Sequence, residues 1–152
     1  MQSKKLFFDK TVTRFRLSER VPHHNRYRRL AELMDWTFLY DATQVLYSHT
    51  GLPSLDPVIF FKLMLEGCLE NLVSDRRLIE HYALRLDICL FLDYEVNEEL
   101  PGHSAVSRTR QLFPAAVFER LFERLFERLF DHVFNQNMNQ GLVAGGTKKP
   151  AY

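Results

Sequence analysis

Cysteine is scarce in this chain: only two of its 152 residues, Cys68 and Cys89, and they do not form a Cys-x-x-Cys pair. That excludes a disulfide-stapled scaffold and argues against a thiolate zinc site. Both cysteines fall in apolar segments with helical spacing and read as buried free thiols of a reducing compartment. Long apolar runs are also missing, and none approaches the roughly 20 residues that cross a bilayer. The opening MQSKKLFFDK is basic but leads into further charge, not into an apolar stretch with a cleavage site, so a secretory signal is not expected. These absences point to a cytoplasmic protein. Six histidines (His23, His24, His49, His81, His103 and His132) show no metal-ligand spacing. There is no GxxxxGK phosphate loop and no GxSxG elbow, and Glu98–Glu99 reads as a solvated turn. Motifs alone therefore give no enzyme, no cofactor and no metal.

What is present suits a globular protein: 46% hydrophobic and 26% charged residues, in a chain long enough for one core or one core with a projecting element. The net charge of +1 conceals an uneven distribution, with +7 over residues 1–30, −9 over 31–100 and +3 over 101–152. A basic arm on an acidic body can supply phosphate contacts, and it can equally be an ordinary solvated arm.

Apolar residues at steps of three and four predict a helix from Asn25 to Tyr47, with Thr37 and Thr43 weakening its later part. Gly51 and Pro53 make Ser48–Ser54 a loop. Asp56 before Pro57 is the cap-then-proline order that opens a helix, here running to about Leu72 and apolar nearly all round, as a central helix is. Ser74 caps the next helix, and Asp75 suits its positive end. DICLFLDY is dense enough for a strand, but no partner strand is evident, so helix is expected. Glu95–Gly102 is a loop, and Ala105–Phe113 a short segment closed by Pro114.

Then comes a repeat, FERLFERLFERLF, from Phe118 to Phe130. A four-residue period drifts by about 40° per repeat on a helix, so Phe and Leu fill roughly half of its circumference. Arg120–Glu123 and Arg124–Glu127 are expected to pair at i,i+3. The helix should extend to about Asn139, with Gly141 ending it. The expected organisation is all-α: a basic arm (1–24), a compact helical domain with a helix-turn-helix-like segment (25–114), a long amphipathic helix (115–140) and an unstructured tail (141–152).

LPGHSAVSRTRQLF, Leu100 to Phe113, is the most informative stretch. A Pro-Gly turn, His103, a capping Ser104 and a helix bearing Ser107, Arg108 and Arg110 make a credible recognition helix, because hydroxyls and guanidinium groups read phosphates and base edges. A surface helix with two arginines is the plainer alternative. From the basic arm and its continuation, Arg14, Arg16, Arg28 and Arg29 join the candidate DNA-binding set.

The stretch GLPSLDPVIFFKLMLEGCLENLVSDRRLIEHYALRLDICLFLDY, followed by LPGHSAVSRTRQLFP, resembles the N-terminal domain of transposases related to insertion sequence five. LSERVPHHNRYRRLAELMDWTFLY upstream and GLVAGGT downstream are similar to the same family's flanks, so the likeness covers most of Leu17 to Thr147. It implies a helical domain that helps recognise the terminal inverted repeats of the element, ahead of an RNase H-like domain whose three acidic residues bind two divalent metals. In relatives the first catalytic Asp follows the GLVAG-like stretch by a few residues. Here that region reads TKKPAY, so no position inherits a catalytic role. A single FERLF-like unit is also what the family leads one to expect.

The expectation is a truncated transposase domain, associated with DNA in the nucleoid and not catalytic by itself. Three further readings stay open. The Phe118–Phe130 helix can mediate self-association, or association with full-length transposase, as a regulator. The chain can be an inert remnant. A catalytic domain can be supplied by another chain or by frameshifting.

Overall fold

A computed structural model describes residues 2–6, 12, 14–47 and 54–145, with backbone only for 142–145. Most of the expected Ser48–Ser54 loop, part of the basic arm and residues 146–152 of the expected tail lie outside the described residues. The described residues form helices and no strands: α1 (Leu17–Arg20), α2 (Arg26–Leu33), α3 (Phe38–Tyr47), α4 (Pro57–Leu69), α5 (Asp75–Ala83), α6 (Leu86–Phe91), α7 (His103–Gln111) and α8 (Ala115–Gly145).

Helix α4 is the hub. Asp56 caps it by accepting from the Val58 and Ile59 amides at 2.8 and 3.3 Å, with Pro57 in its first turn. Phe60, Phe61, Leu63, Met64 and Leu65 are all buried, so its all-round apolar surface is packed on several sides. Phe60 stacks on Phe113 at 5.3 Å between ring centroids, and Phe61 on Phe118 at 5.7 Å, which ties the end of α7 and the start of α8 to the hub. The DICLF part of DICLFLDY is helical, and α6 buries Ile88, Cys89 and Phe91, whereas Cys68 of α4, expected to be buried, is exposed.

Several boundaries differ from those read in the sequence. The expected 25–47 helix is two helices, because Met34 is extended and the Asp35 carboxylate accepts from the Thr37 amide and hydroxyl at 2.9 and 2.7 Å. That local turn competes with the helix ladder and lets Trp36 reach the core. Helix α4 ends at Leu69, where Asn71 takes a left-handed φ of 55° and the Leu72 amide donates back to the Gly67 carbonyl at 2.8 Å. Helix α6 closes in the same way through Asp93, φ 60°, with Tyr94 donating to Cys89 at 3.0 Å. Both are Schellman closures made without glycine. The packed body also starts inside the expected arm, since α1 contacts α6 and Val21 is buried.

Helix α8 runs through Gly141 to Gly145. One helical glycine costs only about 1 kcal/mol, and Leu142, Val143 and Ala144 follow it. The expected Arg120–Glu123 and Arg124–Glu127 pairs are not among the ion pairs of the described residues. The Arg124 and Arg128 guanidinium groups lie over the Phe38 ring instead, Arg128 at 4.0 Å. Leu121, Leu125 and Leu129 are the buried stripe of this helix, Phe118 and Phe122 pack beside them, and every residue from Phe130 to Gly141 is exposed.

Candidate functional site

Two clusters of polar side chains stand out, one buried and one exposed. The buried one lies where α2, α4, α5 and α6 meet. Glu66 of α4 is fully buried, with His81 Nδ1 of α5 at 2.8 Å from its Oε1 and no partner for its Oε2. Burial pushes its carboxyl up to about 7, against the lowering effect of His81. Arg85 lies 3.3 Å from His81 Nε2, holds Asp87 through two bonds of 3.0 and 2.7 Å, and approaches Glu70 at 3.6 Å. Glu70 in turn accepts from Tyr27 and Arg26, each at 2.6 Å, and the Tyr27 bond holds its carboxyl below the ordinary range. Asn25, which caps α2, also donates to Asp87 at 3.0 Å. No solvent-borne substrate reaches Glu66, so this network fastens four helices together.

The exposed cluster is built around Asp75, the first residue of α5. Ser74 caps that helix by accepting from the Arg77 amide at 3.2 Å. Asp75 accepts from Ser107 of α7 at 3.0 Å and is also bound by Arg110. This anchor lays α7 beside the first turn of α5. Thr109, on the inner side of α7, accepts from the Leu55 amide at 3.0 Å and donates to Ala105 at 2.8 Å, locking the helix against the body. Around the anchor Arg76, Arg77 and Arg108 are exposed and make no ion pair among the described residues.

Of the nine residues singled out from the sequence, only part share this surface. Ser107 and Arg110 do, but in contact with Asp75. Arg108 is exposed beside them. His103 and Ser104 are exposed in the first turn of α7, where Gly102 occupies the N-cap without a side-chain bond, so Ser104 does not cap the helix. Helix α7 follows residues 92–102, a longer connection than the short turn of a helix-turn-helix, although α5 and α7 do pack together. Arg14, Arg16 and Arg29 are exposed elsewhere, with Arg16 3.9 Å from Glu19. Arg28 is turned inward, donating to the Val21 carbonyl at 2.7 Å and pairing with Glu32. Sequence reading passed over Arg76 and Arg77 because they sit in the acidic stretch 31–100, where regional charge hid a local pair of cations. Among the described residues no group of three or more His, Cys, Asp or Glu is placed to hold a metal, and no helix is long and apolar enough to cross a membrane.

A family model described as a transposase domain (DUF772) matches residues 15–112, which is α1 to α7 and their connections. The chain belongs to this family. Neither a curated protein nor a solved structure matches it. The matched span of the transposase domain stops just before Pro114, so the Glu66 network and the Asp75 surface both lie within it and α8 lies beyond it.

Proposed function

We propose that this transposase domain is a DNA-binding module, related to those of insertion-sequence-five-like elements, that recognises element ends and has no strand-cleaving activity of its own. The observation that carries the reading is the Asp75 surface: Arg76 and Arg77 in the first turn of α5 and Arg108 in the last turn of α7, all exposed and without an ion pair among the described residues. Exposed guanidinium groups bind phosphate in a fixed geometry. His103 and Ser104, in the first turn of α7, are placed for contacts beyond the backbone.

The test is a binding titration of the full chain on two duplexes at two salt concentrations, one carrying the terminal repeat of the source element and one scrambled. Tighter binding to the repeat, retained at higher salt, is the expected result. The triple variant Arg76→Ala, Arg77→Ala, Arg108→Ala should weaken binding to both duplexes and flatten the dependence of log K on log salt by about 2–3. An unchanged affinity and slope would remove this surface from the account. Arg28→Ala is the control, expected to lower stability without changing the slope.

A further inference from the structure

We infer that the exposed face of α8 is the docking site for a second copy of this chain. The inference is independent of the DNA-binding reading, because it uses a helix beyond the matched family span and different residues. Helical phase divides α8 into two arcs. Leu121, Leu125 and Leu129, with Phe118 and Phe122, face the body. Phe126, Phe130, Val133, Phe134 and Met138 form a second apolar arc beside the first, with exposures of 43, 69, 44, 52 and 49%. From Phe130 to Gly141 every residue stays exposed, with Val133, Gln136 and Asn137 only edging a groove against α2, and an isolated segment of this length is marginal in water. The sequence there, NQNMNQG, adds little helix propensity of its own. A helix projecting in this state is stabilised by a partner.

Area and charge select the partner. At roughly 200 Å² per aromatic side chain, the accessible part of this arc amounts to about 500 Å² per copy. Two copies placed face to face would remove about 1,000 Å² from water, the lower bound for a specific association. The face meets itself across a two-fold axis, so one patch supplies both sides of the interface. Its carboxylates, Glu123, Glu127 and Asp131, all lie towards its N-terminal end, since Arg124 and Arg128 are engaged on Phe38, and an antiparallel two-fold sets them against the neutral Gln and Asn of the other end. Two such faces do not repel each other, whereas a nucleic acid or a strongly charged protein finds nothing here to steer it.

Sedimentation velocity of the full chain over a concentration series tests this. The expected result is a reversible monomer–dimer equilibrium in the micromolar range. Phe130→Glu with Phe134→Glu should shift it at least tenfold towards monomer while the far-ultraviolet circular dichroism melt of the body stays cooperative. Both side chains are exposed, so the body does not depend on them for its packing. Glu127→Gln, at the margin of the same face, should leave the equilibrium within a factor of about three. A wild-type chain that remains monomeric at several hundred micromolar overturns the inference, as does a double variant that dimerises like wild type. Loss of DNA binding in the double variant with no change of mass would assign the face to nucleic acid instead.

Discussion

Phe91→Ala is expected to remove about 3–5 kcal/mol of stability, the range for emptying a buried aromatic site that cannot collapse. Phe91 is fully buried and meets Trp36 edge-on at 5.7 Å and Tyr27 at 5.5 Å. The Lys62 ammonium lies 5.1 Å from the centre of its ring and donates to the Phe91 carbonyl at 2.7 Å. Lys62 is itself nearly buried, and burial lowers the pKa of its ammonium. Removing the ring therefore opens a void and strips a buried cation of the π-face that compensates part of its desolvation. Against a total of about 5–15 kcal/mol for a domain, a loss of this size brings the body close to its unfolding threshold. Urea denaturation followed by Trp36 fluorescence measures it, and a midpoint within about 0.5 kcal/mol of wild type would show that the α2–α4–α6 junction does not depend on this ring.

Glu66→Gln should stabilise the chain at pH 8 and change it little at pH 4.5. The carboxyl titrates at about 7 when folded against an ordinary 4.5. Its folded-state pKa is raised, so its stabilising contribution is complete below about 4.5 and is lost as pH rises towards 7. Above that, folding must hold a buried carboxylate whose Oε2 has no partner. The difference amounts to about 1–3 kcal/mol at 1.36 kcal/mol per unit. Glutamine keeps the volume and a bond to His81 without the charge. Denaturant midpoints for both proteins across pH 4.5 to 8 should converge at the acid end and separate at the alkaline end. Parallel profiles would mean that Glu66 is solvated in a way its burial does not suggest.

The features legible in the sequence were the ones that local chemistry decides. Asp56 before Pro57, and Ser74 before Asp75, open helices because a side-chain oxygen reaches an amide two or three residues on, and the chain alone fixes that geometry. The break at Met34 was hidden because an apolar residue stood in the right helical phase, while the Asp35–Thr37 turn that outweighs it leaves no periodic trace. The ends of α4 and α6 were hidden because Asn71 and Asp93 fill left-handed positions where glycine is the usual signal. For the candidate site, the α7 helix was readable and its use of side chains was not. Ser107 and Arg110 meet Asp75 across more than thirty residues, and only the packing of α5 on α7 brings them together. The same packing sets the first turn of α5, with Arg76 and Arg77, against α7, which neither regional charge nor periodicity could have done.

The three FERL units of α8 also make its grip on the body degenerate. Leu121, Leu125 and Leu129 are chemically identical rungs spaced four residues apart, with a Phe beside each pair. Removing one unit offers the body nearly the same surface, with Val133 moving into the place of the last rung. The body's seat for α8 therefore tolerates changes in repeat number, and only the projecting half records them, by about 6 Å of reach and 40° of turn per unit. In this chain the helix behaves as a vernier: copy number in the coding sequence sets where the outer face points, and the folded core remains indifferent to it.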